Sequence, residues 1–184
     1  MRVVAGNAKG TRIKAPKSLK VRPTSGRVRG AIFSILSSMV YQPQRVLDLY
    51  SGTGALGIEA LSRGAEWVDF VERDPESCAF IRENLKAAGY ADRCHVHCSS
   101  VTKALDYLTQ PYDLILADPP YFEVAPKEFL ERLSASSVIG EDATVVLETS
   151  SRVEPEEEVA GLRLVKERRH GDTLITVYRR RKER

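Results

Sequence analysis

Two clusters in this chain have residue types and spacing that could carry chemistry. The first is Asp118-Pro119-Pro120-Tyr121, which closes the apolar run Tyr112-Asp113-Leu114-Ile115-Leu116-Ala117. An exocyclic amine on guanine, adenine or cytosine is a poor nucleophile, because its lone pair is delocalised into the ring. Hydrogen bonds can re-aim that lone pair: the Asp118 carboxylate can accept one N–H and the Pro119 carbonyl a second, drawing the nitrogen toward a tetrahedral shape. The two prolines stiffen the turn through their fixed φ. Tyr121 offers a flat face on which a base removed from its helix can stack. The same four residues could also end a strand in an ordinary turn, so their place in the fold decides their meaning.

The second cluster is a glycine-rich loop. Val46-Leu47-Asp48-Leu49-Tyr50 runs into Ser51-Gly52-Thr53-Gly54-Ala55-Leu56-Gly57, a G-x-G-x-x-G pattern between a predicted strand and a predicted helix. Glycine lets a backbone approach a ligand closely, and the amides at the following helix start favour a negative group. Glu72 ends the next strand, 20 residues after Gly52, where a carboxylate can accept both hydroxyls of a ribose. A nucleoside cofactor follows. Asp48 argues against a nicotinamide dinucleotide, since a charge inside the strand leading to a pyrophosphate loop is out of place. A carboxylate there can instead order the loop or meet the amino group of methionine in a methyl donor.

The elements that must position these clusters are legible as alternation. Strands are predicted at 45–50, 67–73, 93–98, 112–118 and 143–148, and helices near 55–63, 75–88, 101–109 and 126–137, which implies a parallel sheet with helices on both faces. Leu162 to Arg168 and Thr173 to Arg179 read as an antiparallel hairpin turning at residues 169–172. A helix over 27–40 carries Val28, Ile32, Ile35, Leu36 and Met39 on one face and stops before Pro43. The first 22 residues read as a small hairpin or extended arm, leaving 23–184 as the main domain.

Composition bounds the rest. A chain of 184 residues, 42% hydrophobic and 29% charged, fits one globular domain. The absence of a long apolar run or a signal-peptide pattern, with Cys78, Cys94 and Cys98 unable to pair fully, leads to the expectation of a cytoplasmic protein in a reducing compartment. Residues 1–45 hold ten Lys or Arg and no acid, and residues 166–184 hold eight basic and three acidic side chains, so the basic ends flank an acidic centre. That asymmetry suits a polyanion-binding enzyme, and it would also suit a solvated surface. Cys94-His95-Val96-His97-Cys98 does not suggest a metal, because alternate residues of a strand face opposite ways.

With the tetrad four strands into such a fold, the chain resembles amino-methylating methyltransferases of the Asn/Asp-Pro-Pro-Tyr/Phe class, and more narrowly the RsmD family of 16S ribosomal RNA guanine-N2 methyltransferases. The resemblance covers nearly the whole chain. It rests on Met1 to Gly6 with Lys9-Gly10, on Arg22-Pro23-Thr24 with Arg27-Val28-Arg29, on Asp48 to Ala60 with Leu61 to Ala65, and on the tetrad. It implies a Rossmann-like class I fold, a mostly parallel seven-stranded sheet with a C-terminal antiparallel hairpin. It further implies S-adenosylmethionine as donor, 16S rRNA or the small subunit as partner, and a monomer. The donor would be held by Thr24, Arg27, Asp48, Tyr50, Ser51, Gly52, Thr53, Gly54, Ala55, Glu72, Arg73, Ser100, Val101 and Asp118. Pro119, Pro120 and Tyr121 would join Asp118 at the base. Arg2, Lys9, Arg12, Lys14, Arg22 and Arg29 are the expected RNA contacts, with no metal. The alternatives are a DNA adenine or cytosine amino-methyltransferase and a non-catalytic nucleic-acid-binding module of the same fold.

Overall fold

A computed structural model of the chain describes residues 1–17, 24–39, 42–120 and 124–180. Helix α1 (Gly26–Ser38) starts where the Ser25 hydroxyl accepts the Val28 N–H. Strand β1 (Arg45–Leu49) and the apolar helix α2 (Ala55–Ser62) come next, followed by β2 (Trp67–Glu72). Helix α3 (Pro75–Ala88) is capped by Asp74, which accepts the Ser77 N–H at 2.7 Å, and begins with a proline whose missing N–H costs nothing there. Then come β3 (Cys94–Cys98), α4 (Val101–Tyr107), β4 (Tyr112–Ala117), α5 (Pro126–Ala135) and β5 (Ile139–Ser150). The chain ends in β6 (Glu158–Val159), β7 (Leu162–His170) and β8 (Thr173–Arg180).

The strand order is β3-β2-β1-β4-β5-β8-β7-β6. Strands β1 to β5 are parallel, and β8, β7 and β6 are antiparallel to their neighbours, so the expected C-terminal hairpin is present. The sheet has eight strands instead of the expected seven. The addition is the two-residue β6, too short to show any period in the sequence. β5 also starts four residues before 143, because Ile139 pairs with Tyr112 across a register shift.

Alternation along the strands divides the core in two. Val46, Phe70, Leu114, Leu116 and Val146 pack under α1, α2 and α3, while Leu47, Leu49, Ile115, Val145 and Leu147 pack under α4 and α5. Strand order reverses between β1 and β4, and ligands bind at such switch points, at the carboxyl edge. The glycine loop leaves that edge from β1 and the tetrad leaves it from β4. Among the described residues, no helix is long and apolar enough to cross a membrane.

The first residues are built into this body. Arg2 and Arg12 form an antiparallel bridge, and Val3, Ala8 and Ile13 are buried in the α1–α2 side of the core. The Glu59 carboxylate of α2 accepts the Val4 N–H at 2.8 Å and the Ala5 N–H at 2.9 Å. Gly6, at φ 83, lies so close to α2 that an added Cβ would meet the Ser62 carbonyl oxygen at 1.9 Å.

Candidate active site

The loop after β1 is shaped by backbone strain and stitched by short polar contacts. Tyr50 (φ 58), Gly52 (φ 54) and Gly54 (φ 76) all lie in the left-handed region, which for tyrosine is costly and for glycine is not. The tyrosine ring packs against Phe129 of α5, with centroids 6.1 Å apart. Ser51 donates to the Asp48 carbonyl at 2.6 Å and accepts the Val71 N–H at 3.1 Å, tying the loop to β2. The third glycine, Gly57, is needed for packing: a Cβ there would stand 2.3 Å from Phe70 Cε1. A Cβ at Gly52 would meet nothing within 4 Å, so that backbone borders open space. Thr53 and Ala55 are buried; the Thr53 carbonyl accepts from the Asn84 amide at 3.0 Å.

Two acids organise this loop. Asp48 is almost wholly buried; its Oδ2 accepts the Gly57 N–H at 2.9 Å, while its Oδ1 is buried with no partner among the described residues. Burial holds this carboxyl well above the usual carboxylate range, partly offset by the Gly57 hydrogen bond and reinforced by Asp118 and Glu72. Glu72 accepts the Gly52 N–H through Oε2 at 2.8 Å and the Asp74 N–H through Oε1 at 2.9 Å. Each carboxylate oxygen has a second lone pair, so a ribose contact remains open to it. Arg73 is exposed beyond it, Ser100 caps α4, and Val101 is buried behind that cap.

At the end of β4, Asp118 Oδ2 lies 2.8 Å from Thr24 Oγ1, and burial pushes its carboxyl up to about 6 against the opposing Thr24 hydrogen bond. Pro119 is buried and Pro120 half-buried behind it. Tyr121 and Arg22 lie outside the described residues. Arg27 is exposed on the first turn of α1.

Glu148 is the residue that sequence reasoning missed. It sits on β5, 3% exposed, with Oε1 3.2 Å from the same Thr24 hydroxyl. Its signal was available: an acid inside Val145-Val146-Leu147-Glu148 is as anomalous as Asp48 inside β1. The register aligns Asp48 with Leu116 and Leu116 with Val146, so Asp118 and Glu148 lie two residues further toward the carboxyl edge on the same sheet face.

Arg29 corrects an expectation. It is 1% exposed, and its guanidinium donates to the Thr24 carbonyl at 2.9 Å and the Arg2 carbonyl at 2.7 Å, facing the carboxylates instead of solvent. A phosphate cannot reach it there. The other expected RNA contacts are exposed: Lys9, Arg12, Arg2 with one nitrogen on the Gly10 carbonyl, and Lys14 paired with Glu83 at 2.9 Å. The turn bearing Lys9 rests on Ser62, at the end of α2 away from the glycine loop. His97 is engaged by Asp69 at 3.0 Å and by Tyr107 at 3.1 Å, and no group of three or more His, Cys, Asp or Glu among the described residues is placed to hold a metal.

The family model described as Conserved hypothetical protein 95 matches residues 1–179. The Escherichia coli protein named ribosomal RNA small subunit methyltransferase D is 30% identical over 149 residues, 81% of this chain and 74% of that one. A Streptococcus pyogenes structure described as a conserved hypothetical protein is 35% identical with a TM-score of 0.76, covering 84% of this chain and 96% of that one. A Thermus thermophilus structure is 26% identical with a TM-score of 0.82, covering 96% and 98%.

Proposed function

The chain belongs to the family described as Conserved hypothetical protein 95, the RsmD family of rRNA methyltransferases, and on that premise we propose that it methylates the exocyclic N2 amine of a guanine in 16S rRNA. The observation that carries this reading is the meeting, at one carboxyl edge, of the glycine loop after β1 and the Asp118 carboxylate after β4.

The residues present fit S-adenosylmethionine. Gly52 borders open space where a larger residue would intrude, and the partnerless Asp48 Oδ1 is an acceptor available to an ammonium group. Glu72 takes the ribose, and Ser100, Val101 and Arg73 border the neighbouring edge. When bound, the donor supplies a methyl group on a positively charged sulfur. Asp118 accepts an N–H of the guanine amine and the Pro119 carbonyl the other, aiming the lone pair at that methyl. The Asp118 carboxylate then accepts the proton that the amine nitrogen releases. Tyr121 stacks on the base. Arg2, Arg12 and Lys14 neutralise RNA phosphates near the site, in a monomeric cytoplasmic enzyme.

Nucleoside mass analysis after incubating the protein and S-adenosylmethionine with 16S rRNA, or with small subunits, tests this. N2-methylguanosine is the expected product. Methylated adenine or cytosine in a DNA substrate, with none in rRNA, would overturn it in favour of a DNA amino-methyltransferase.

A further inference from the structure

Thr24 stands between two carboxyl groups with one hydrogen to give. Its Oγ1 lies 2.8 Å from Asp118 Oδ2 and 3.2 Å from Glu148 Oε1. A hydroxyl donates one hydrogen bond and accepts others, so both contacts are hydrogen bonds only when one of the two carboxyl groups is protonated and donates back to Thr24. Were both ionised, one short contact would set lone pair against lone pair between two buried anions.

Geometry decides which group holds the proton. Hydrogen bonds onto an anion are the shorter ones, and the shorter contact is to Asp118. Glu148 is the deeper of the two, 3% exposed within β5, whereas Asp118 is half-buried at the mouth of the site. The groups facing Glu148 are Asp118 from β4, Asp48 from β1, the Arg29 guanidinium from α1 and, across β8, the apolar Ile175. Two of these are acids, and the one cation donates through its two terminal nitrogens to the Thr24 and Arg2 carbonyls. Burial first, then the Asp118 charge, raise the Glu148 carboxyl well above its ordinary value, outweighing the Thr24 hydrogen bond and the Arg29 charge that lower it.

We propose that Glu148 is a positioning residue that keeps the single proton of this pair, so that Thr24 donates to Asp118 Oδ2 and leaves Asp118 as an anion with Oδ1 turned to the substrate amine. The proposal rests on the methyl-transfer reading for the role of Asp118, but not for the location of the proton. Glu148 touches no reacting atom; it acts through Thr24. No bond order changes at Glu148 during turnover, and the proton leaving the amine goes to Asp118 and then to solvent.

Glutamine imitates a protonated glutamate, since its amide can donate to Thr24 but never ionise. Glu148→Gln should therefore keep kcat within about threefold of the parent, whereas Glu148→Ala should lose about tenfold or more, part of the roughly 10²–10⁴ that a positioned proton acceptor supplies. Donor affinity should be unchanged in both. Thr24→Val should fall with Glu148→Ala, and Thr24→Ser, which restores the hydroxyl, should recover most of that loss. In the parent, kcat should decline on the alkaline side as Glu148 loses its proton, and Glu148→Gln should lack that decline. An infrared difference spectrum at neutral pH, parent against Glu148→Gln, should lose one protonated-carboxyl band. This band is read without substrate, so it judges Glu148 even if the RNA proves unmethylated. If folded Glu148→Gln is as impaired as Glu148→Ala, or if no protonated-carboxyl band is lost, the proposal is wrong. Should Glu148→Ala not fold, Glu148→Gln and Thr24→Val decide it.

Discussion

The Glu72 carboxylate accepts the Gly52 N–H at 2.8 Å, so the end of β2 and the loop after β1 form one hydrogen-bonded unit. Glu72→Ala removes both that bond and the proposed ribose contact. Donor affinity should fall by about 1–3 kcal/mol, as expected for losing a charged hydrogen-bond partner. Calorimetric titration with S-adenosylmethionine measures it, and unchanged affinity would remove Glu72 from the donor site.

Asp118 links activity and stability to pH in opposite senses. Its carboxyl is held at about 6 against an ordinary value of 3.8, so the folded state binds its proton more tightly than the unfolded chain does. Stability should therefore rise as pH falls through about 6, the gain being complete below about 4 and amounting to at most about 3 kcal/mol. Asp48 and Glu148, raised in the same direction, add to the trend. Asp118→Asn should lack its share in urea unfolding at pH 7 and pH 5. Methyl transfer needs the anion, so kcat/KM should decline below about pH 6.

Removing the carboxyl altogether is harsher than neutralising it. Asp118→Ala should lose roughly 10²–10⁴ in kcat, while Asp118→Asn should keep a trace of activity, because an amide oxygen still accepts one N–H. A wild-type rate in Asp118→Ala would show that the tetrad plays another part.

Gly57→Ala places a methyl 2.3 Å from Phe70 Cε1 and 2.9 Å from Val68 Cγ1. Overpacking of that kind costs about 1–3 kcal/mol. A lowered melting temperature is expected; an unchanged one would mean that α2 can slide on β2.

The buried Glu59 carboxylate holds the first residues through Val4 and Ala5 while also accepting from Arg63 Nε at 2.9 Å. Glu59→Ala should destabilise the protein by about 3 kcal/mol, the scale of losing hydrogen bonds to a charged group. Deleting residues 1–14 should lower melting temperature and donor affinity together, because Asn84 bonds both the Lys14 and the Thr53 carbonyls. A deletion that weakens RNA binding alone would instead make these residues an RNA-holding arm with no part in the donor site.

Much of this was legible because period and chemistry agreed. Apolar runs alternating with helical spacing specify the parallel sheet, and Asp48 inside β1, Glu72 at the end of β2 and Asp118 just after β4 stand where the fold gathers them. Arg29 was misread because its charge was weighed above its place. Three residues before Ile32 and seven before Leu36, it lies on the buried face of α1, a position the spacing already showed. Glu148 stood out only as an acid in an apolar run; its partners come from the residue after β4 and from the second residue before α1, and no local spacing announces a contact across 124 residues.

That separation has a consequence in time. A chain made from its amino end brings out Val3 and Ile13 before α2 and Asn84, the surfaces that cover them, have been synthesised. Thr24 then waits 94 residues for Asp118 and 124 for Glu148. Such distant pairings form late in folding, because a long loop must close before any contact rewards it. A nascent chain halted short of β5 carries the residues of the glycine loop, α2 and Glu72, yet it has no Glu148. The residues proposed to grip a nucleoside are thus synthesised before the last of those proposed to ready the site for reaction.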